Sequence, residues 1–228
     1  MAPAPRGILR TTVLSVIYLL VFAAVLFIPA GIDWRLGWLF LAIFTVCTLL
    51  TCIYLWRVNP EIFEARSRLS RVGTKGWDKV LLIFILLAFF AVFLIASLDA
   101  RFHWSALPRE VIALGYALFL LGFAGSTWVY AVNKFAEPTV RIQTDRHHTV
   151  ITTGPYSFVR HPPYVAGFIL IVGCSLALGS LWALLPVAGS IAILILRTSW
   201  EDAALQNELE GYRAYAARVR YRLLPGIW

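Results

Sequence analysis

Gly154-Pro155-Tyr156-Ser157-Phe158-Val159-Arg160-His161-Pro162-Pro163-Tyr164 stands between two strongly apolar regions. It packs two turn signals, a cation, an imidazole and two tyrosines into one stretch. Gly154-Pro155 breaks any preceding element, and Pro162-Pro163 cannot lie in a helix interior but suits a helix start. The stretch therefore predicts a constrained turn carrying Arg160 and His161 just ahead of a membrane helix. Behind it, Pro163 to Leu196 is apolar, and Gly179-Ser180 divides this region into two arms, about 163–178 and 181–197. That pattern predicts a tight helical hairpin, with Pro186 and Gly189 tolerated because neighbouring helices shield the backbone. The arms are short for a bilayer, which predicts tilt or local thinning.

The rest of the chain has the same character. Its 228 residues are 60% hydrophobic and 14% charged, and the apolar runs are long enough for a hydrocarbon core of ~30 Å, which needs about 20 helical residues. Spans are expected at about Thr11 to Ala30, Leu36 to Trp56, Val80 to Leu98 and Glu110 to Val132. The first of these is long and lacks a small-x-small cleavage site before Asp33, so it reads as a retained span rather than a signal peptide. Asn59-Pro60 stops the second span, and Pro60 to Leu69 is expected to form a short interfacial helix. Asp99 to Pro108 is expected to be a loop. Val150-Ile151-Thr152-Thr153 is β-branched and should be extended. After Arg197, Leu205, Leu209, Tyr212, Ala216 and Val219 recur at helical spacing, which predicts one amphipathic helix ending at Pro225-Gly226.

The expected fold is all-α: a polytopic helical membrane protein of about six transmembrane helices, with a C-terminal hairpin and an amphipathic cytoplasmic helix. Residues 1–132 form four spans, and residues 133–228 form the catalytic region. The net charge of +8 sits in loops between spans, so lipid head groups and topology account for it and nucleic acid does not. Of the Lys and Arg residues, only Arg35, Arg101 and Arg109 fall on the second side of such a chain. This places both termini and the 133–161 segment in the cytoplasm, with the protein in an inner membrane. Cys47, Cys52 and Cys174 lie in apolar runs without metal-ligand spacing and read as buried hydrophobes. His147 and His148 have no companion ligands, so no metal is expected. The nine Trp read as interface anchors, and Arg218, Arg220 and Arg222 as head-group contacts.

If both ends of the hairpin open on the cytoplasmic side, Arg160-His161 lies near Arg197 and Glu201. Arg197 and Glu201 are four apart on a helix and share a face. A charged pair at that depth is a functional expectation, against which Arg197 could instead snorkel while Glu201-Asp202 faces water. His161 could equally be a positioned structural group.

Gly-Pro-Tyr-x-x-Val-Arg-His-Pro-x-Tyr, a hairpin, an acidic pair, Leu205, Gly211-Tyr212, Tyr215 and a basic run ending at Pro225 resemble the isoprenylcysteine carboxyl methyltransferase family. Related phospholipid methyltransferases share that C-terminal half. The resemblance covers about residues 133–225. It implies an S-adenosylmethionine pocket over the cytoplasmic ends of the last helices. His148, Thr149, Val150 and Ile151 would line it, Tyr156, His161, Pro162 and Tyr164 would stand at cofactor-contacting positions, and Gln143 would match an upstream glutamine contact. Glu201 matches the acidic cofactor contact, and Arg197 matches the arginine near the substrate carboxylate. The family's second glutamate is Asp202 here, an acid of shorter reach.

The residue types suit that chemistry. A carboxylate such as Glu201 can bind the cofactor's ammonium or a hydroxyl, and Arg160 or His161 its carboxylate. Aromatic rings suit adenine and the cation. A carboxylate acceptor is ionised at neutral pH and needs no base, whereas an amine or thiol would need one, with His148, Glu201 or Tyr212 as candidates. Tyr212 and Tyr215 should pack the C-terminal helix onto the site. The expected function is methyl transfer to a lipophilic, isoprenylcysteine-like or otherwise prenylated acceptor, with membrane lipids as neighbours. The competing readings are lipid amine N-methylation, NADPH-dependent reduction of sterol-like lipids, and a non-enzymatic membrane protein. The sequence leaves the acceptor and the oligomeric state open.

Overall fold

The computed structural model describes residue 17 and residues 20–67 and 72–228. Much of the expected first span, together with Arg6, Arg10, Arg68 and Arg71, lies outside the described residues. Among those described there is no strand. The helices are α1 (Leu20–Ala30), α2 (Arg35–Val58), α3 (Glu61–Arg66), α4 (Gly76–Phe102), α5 (Arg109–Val132), α6 (Pro162–Ala177), α7 (Leu184–Glu208) and α8 (Tyr212–Arg218). Four of them, α2, α4, α5 and α7, are long and apolar enough to cross a membrane. Their outward faces carry large apolar side chains such as Leu50, Ile53, Leu87 and Leu121, which a lipid environment tolerates and water does not.

The closest contact in the fold is between α5 and α6. They run antiparallel, and glycine makes the approach possible. A Cβ on Gly115 would come within 2.3 Å of the Ala177 backbone nitrogen, one on Gly122 within 2.4 Å of the Leu170 nitrogen, and one on Gly173 within 2.3 Å of the Phe119 nitrogen. In lipid no hydrophobic effect drives helices together, so association rests on such close packing. Phe22, Phe40, Phe93 and Phe119 fill the centre where α1, α2, α4 and α5 meet.

Two expected boundaries move, for one reason. The third span was expected at Val80 to Leu98, but α4 extends about a turn further at both ends. The charges that suggested loops, Asp78 and Asp99, sit inside the helix, buried and partnered. Asp99 accepts hydrogen bonds from Ser105 N–H and Oγ and from Ser180 Oγ at 2.5–2.7 Å. Ser180 sits in the expected hairpin turn, beside Gly179 at φ +77°, and its Oγ accepts from Ala183 N–H. At the other end the single amphipathic helix becomes two. α7 continues through Arg197 to Glu208, then Gly211 at φ +79° turns the chain into α8. Leu209, Tyr212 and Tyr215 still pack as one cluster. The interfacial helix expected over Pro60 to Leu69 is the shorter α3. Asn59 marks its approach, donating through Nδ2 to Tyr130 O at 2.7 Å.

Gly122→Ala or Gly173→Ala drives a methyl group into backbone of the facing helix. Each should lower the thermal unfolding midpoint of detergent-purified protein by an overpacking cost of about 1–3 kcal/mol. Gly167→Ala and Gly189→Ala, whose Cβ would meet nothing within 4 Å, should leave the midpoint unchanged or raise it slightly.

Candidate active site

The turn ahead of α6 is held from several directions. Gly154 at φ +58° starts a single 3-10 turn over Gly154–Ser157, and Pro162 and Pro163 occupy the first turn of α6. The C-terminal segment then lies against it. Arg160 N–H donates to Tyr221 O and His161 N–H to Arg222 O, each at 2.9 Å. Arg160 Nη1 also donates to the carbonyls of Val219 and Arg220, at 2.9 and 2.7 Å.

At the centre is Asp202 on α7, with no solvent exposure. Its Oδ1 accepts from Arg160 Nε at 2.8 Å, His161 Nε2 at 3.2 Å and Tyr212 OH at 3.0 Å. Its Oδ2 accepts from Arg160 Nη2, Gln206 Nε2 and Arg222 Nε at 2.8–3.0 Å. Because a carboxylate only accepts, His161 Nε2 carries its ring proton. Each nitrogen of Arg160 donates to a protein acceptor. Two sequence expectations are corrected here. Arg222 pairs with Asp202 and lies over the Trp228 ring at 5.0 Å, rather than reaching for head groups. Tyr212 donates to Asp202, and burial pushes its phenol up, so it is no base.

One residue earlier, Glu201 has a different environment. Its Oε2 accepts a hydrogen bond from Tyr164 OH, and among the described residues its Oε1 has no partner. His161 stacks on Tyr164, with ring centroids 5.9 Å apart and planes within 8°, and His161 Nδ1 lies 3.9 Å from Glu201 Oε2. Arg197, four residues back, does not pair with Glu201 as the shared helix face suggested. Its partner is Asp78 on α4, bound through Nε at 2.7 Å and Nη2 at 3.1 Å, and Nη2 also donates to Pro138 O. Asp78 has no solvent exposure and also accepts from Val140 N–H at 2.7 Å. Of the Arg197 nitrogens, Nη1 has no partner among the described residues. Its guanidinium lies 5.7 Å from the Tyr164 ring centre.

The connecting loop forms the facing wall. Arg141 is clamped between Glu137 and Asp145, and hydrogen bonds to these carboxylates raise its pKa further. Gln143 is buried with both ends of its amide engaged, by Phe135 O and by Arg146 Nη1. Its side chain therefore braces the loop. His148 stacks near Phe135, with ring centroids 4.5 Å apart, and its Nδ1 accepts from Gln143 N–H. Burial lowers its pKa to about 4, which keeps it neutral at ordinary pH. Tyr156 accepts from Asn133 Nδ2 at 2.6 Å, and its carbonyl receives the Tyr215 hydroxyl.

Together these walls line a half-open cavity of about 470 Å³. Gln143, His148, Thr149, Val150, Ile151, Tyr156, Arg160, His161, Tyr164, Arg197 and Glu201 all line it; Pro162 does not, and Pro163 takes its place. The cavity also takes in residues the sequence reading left out. Arg66 of α3 lies over the Tyr130 ring at 4.6 Å, and Leu82, Ile85, Leu86 and Phe89 form one face of α4. Asp78 was legible as an acid at the head of a span, a placement that calls for a partner. The α4 face was not legible, because every side of that helix is apolar. Among the described residues no three His, Cys, Asp or Glu side chains converge as a metal site requires.

A family model described as phospholipid methyltransferase matches residues 111–210. That stretch contains almost all of α5, the loop, α6 and α7, including Arg160, His161, Arg197 and Glu201. The match supports a methyltransferase embedded in a membrane. No curated protein matches the chain.

Two expectations follow. Asp78→Ala strands a buried guanidinium, so unfolding in detergent should show a loss of about 3–5 kcal/mol. A neutral His148 binds protons more weakly folded than unfolded, so its contribution to stability is full above pH 6.5. It should be lost progressively as pH falls from about 6.5 to about 4. Melting curves across that window should show the loss, and His148→Gln should flatten this part of the pH profile.

Proposed function

We propose that this chain is an S-adenosylmethionine-dependent methyltransferase acting on the carboxylate of a lipophilic, isoprenylcysteine-like acceptor at the cytoplasmic face of an inner membrane. The observation that carries the acceptor's place is the state of the arginines. Of the three buried arginines lining the cavity, Arg141 and Arg160 have every nitrogen engaged. Arg197 keeps Nη1 open. One open nitrogen on a cation already neutralised by Asp78 suits an anionic nucleophile, because it can orient an oxygen without quenching it.

The cavity's other groups fit the cofactor. The open Oε1 of Glu201 would accept from an ammonium or a hydroxyl. The stacked rings of His161 and Tyr164 and the backbone of residues 149–151 offer surfaces for adenine and for a cation. Bound there, S-adenosylmethionine supplies an electrophilic methyl group. This chain's residues supply alignment, which can contribute about 7–11 kcal/mol, and a wall that excludes water. Tyr164 fixes the Glu201 carboxylate, and Asp202 fixes His161. The same arrangement gives little support to an NADPH reductase, since Arg141 and Arg160 are already paired with protein carboxylates.

For the topology we propose six crossings with both termini cytoplasmic. α1 and α6 would be the two shorter spans, and the charge-rich segments would lie at the cavity end. A second acceptor reading follows from the family match: a lipid amine, for which Glu201 Oε1 is the available base.

The decisive assay follows methyl incorporation from labelled S-adenosylmethionine into N-acetyl-S-farnesylcysteine and into phosphatidylethanolamine, with calorimetry for S-adenosylhomocysteine and NADPH. Incorporation into the cysteine compound is expected, with the homocysteine compound bound and NADPH not. Glu201→Gln should abolish that binding without changing the melting point. Arg197→Lys should raise acceptor KM about 10–100-fold, the loss of a charged hydrogen bond. Incorporation into the phospholipid alone would move the chain to the amine reading, and binding of NADPH alone would end the methyltransferase reading.

A further inference from the structure

The α4 wall of the cavity has a beginning and an end. Leu82, Ile85, Leu86 and Phe89 line it, at the i, i+3, i+4, i+7 spacing that puts them on one face of the helix. They continue from the polar part of the cavity, where Asp78, one turn earlier on α4, holds Arg197. Ile83, Phe84 and Leu87, on the other faces of the same turns, are exposed. At Phe89 the lining stops. Its ring sits edge-on against Phe93 at 4.9 Å, and Phe93 in turn meets Phe22 at 4.7 Å. Val92, Phe93 and Ala96 have no exposure at all, so this side of α4 is closed by packing past Phe89. From Leu82 to Phe89 is seven residues, or ~10 Å of helix. One leaflet's share of the hydrocarbon core is ~15 Å.

We propose that this α4 face is the seat of the acceptor's apolar tail and that Phe89 is its floor, making Phe89 a specificity-determining residue that selects geranyl- or octyl-length chains. The inference rests on the lipophilic-acceptor reading above and extends it by naming the length of the chain. The occupant follows from continuity: one cavity holds both the open donor of Arg197 and the apolar face. A group held at Arg197 therefore has its tail directed along α4. Apolar burial rewards each methylene that fits and none that cannot enter.

The test uses the full chain in nanodiscs. Binding of N-acetyl-S-alkylcysteines from hexyl to octyl, and of the S-geranyl, S-farnesyl and S-geranylgeranyl compounds, is measured by calorimetry alongside methyl incorporation. Affinity should rise roughly fourfold per methylene up to octyl length and no further from geranyl to geranylgeranyl. Phe89→Ala should move the plateau to the farnesyl compound, leaving hexyl affinity and S-adenosylhomocysteine binding unchanged. Ile85→Phe, which fills the face before its midpoint instead of emptying it, should weaken the hexyl and geranyl compounds alike, at least tenfold, while sparing S-adenosylhomocysteine, and it serves if Phe89→Ala does not fold. Affinity that climbs without a break to geranylgeranyl in the unaltered protein, or that is indifferent to both substitutions, overturns the proposal. Methyl incorporation that ignores chain length overturns it while leaving the acceptor reading intact. A length plateau in binding without any incorporation supports the floor and overturns the acceptor reading instead.

Discussion

A carboxylate shut off from water is tolerable only when donors surround it, and Asp202 has five side chains doing so. Those donors come from four parts of the chain: the turn before α6, α7 itself, α8 and the C-terminal segment. Each piece has weak reasons of its own to be where it is. The turn is short, α8 has two turns, and the C-terminal segment has no regular structure. Their positions are fixed because leaving any donor out would strand charge in a low-dielectric interior. A network of this kind is strong when complete and costly when partial, so the site assembles as a unit.

The Asp78–Arg197 pair makes the same argument on the other side of the cavity. It ties α4, outside the stretch matched by the family model, to α7 inside it, and through Val140 and Pro138 it anchors the loop as well. α7 therefore carries Arg197 and Asp202, each neutralised by a partner from elsewhere. Between them it carries Glu201, whose second oxygen is open. Structural pairing of the flanking charges is what leaves a reactive-looking carboxylate facing the cavity.

Much of this was visible in the chain. The apolar runs located α2 and α5 nearly to their ends, Gly179-Ser180 falls in the break between α6 and α7, and the Arg-His-Pro run meets the α7 acids. What the chain concealed has two physical sources. Ion-pair partners are chosen in three dimensions, so Arg197 looked like a partner of Glu201 and Arg160 looked free. Helices apolar on every face carry no periodicity to read, so the cavity-facing side of α4 could not be told from its lipid-facing side. The glycine spacing at 115, 122 and 173, which sets the α5–α6 contact, was legible in principle, since small residues in apolar helices mark close approach.

The segment that lies against the Arg-His turn also sets an order of events in biosynthesis. Arg160 is translated 59 and 60 residues before the carbonyls of Val219 and Arg220 that it binds, an interval of ~3–12 s at about 5–20 residues per second. Throughout that time the Arg160 guanidinium lacks part of its hydrogen-bond set, and Asp202 waits for Tyr212 and Arg222. Completion of the buried charge network therefore comes well after α6 has been made, and the chemistry of the site waits on it.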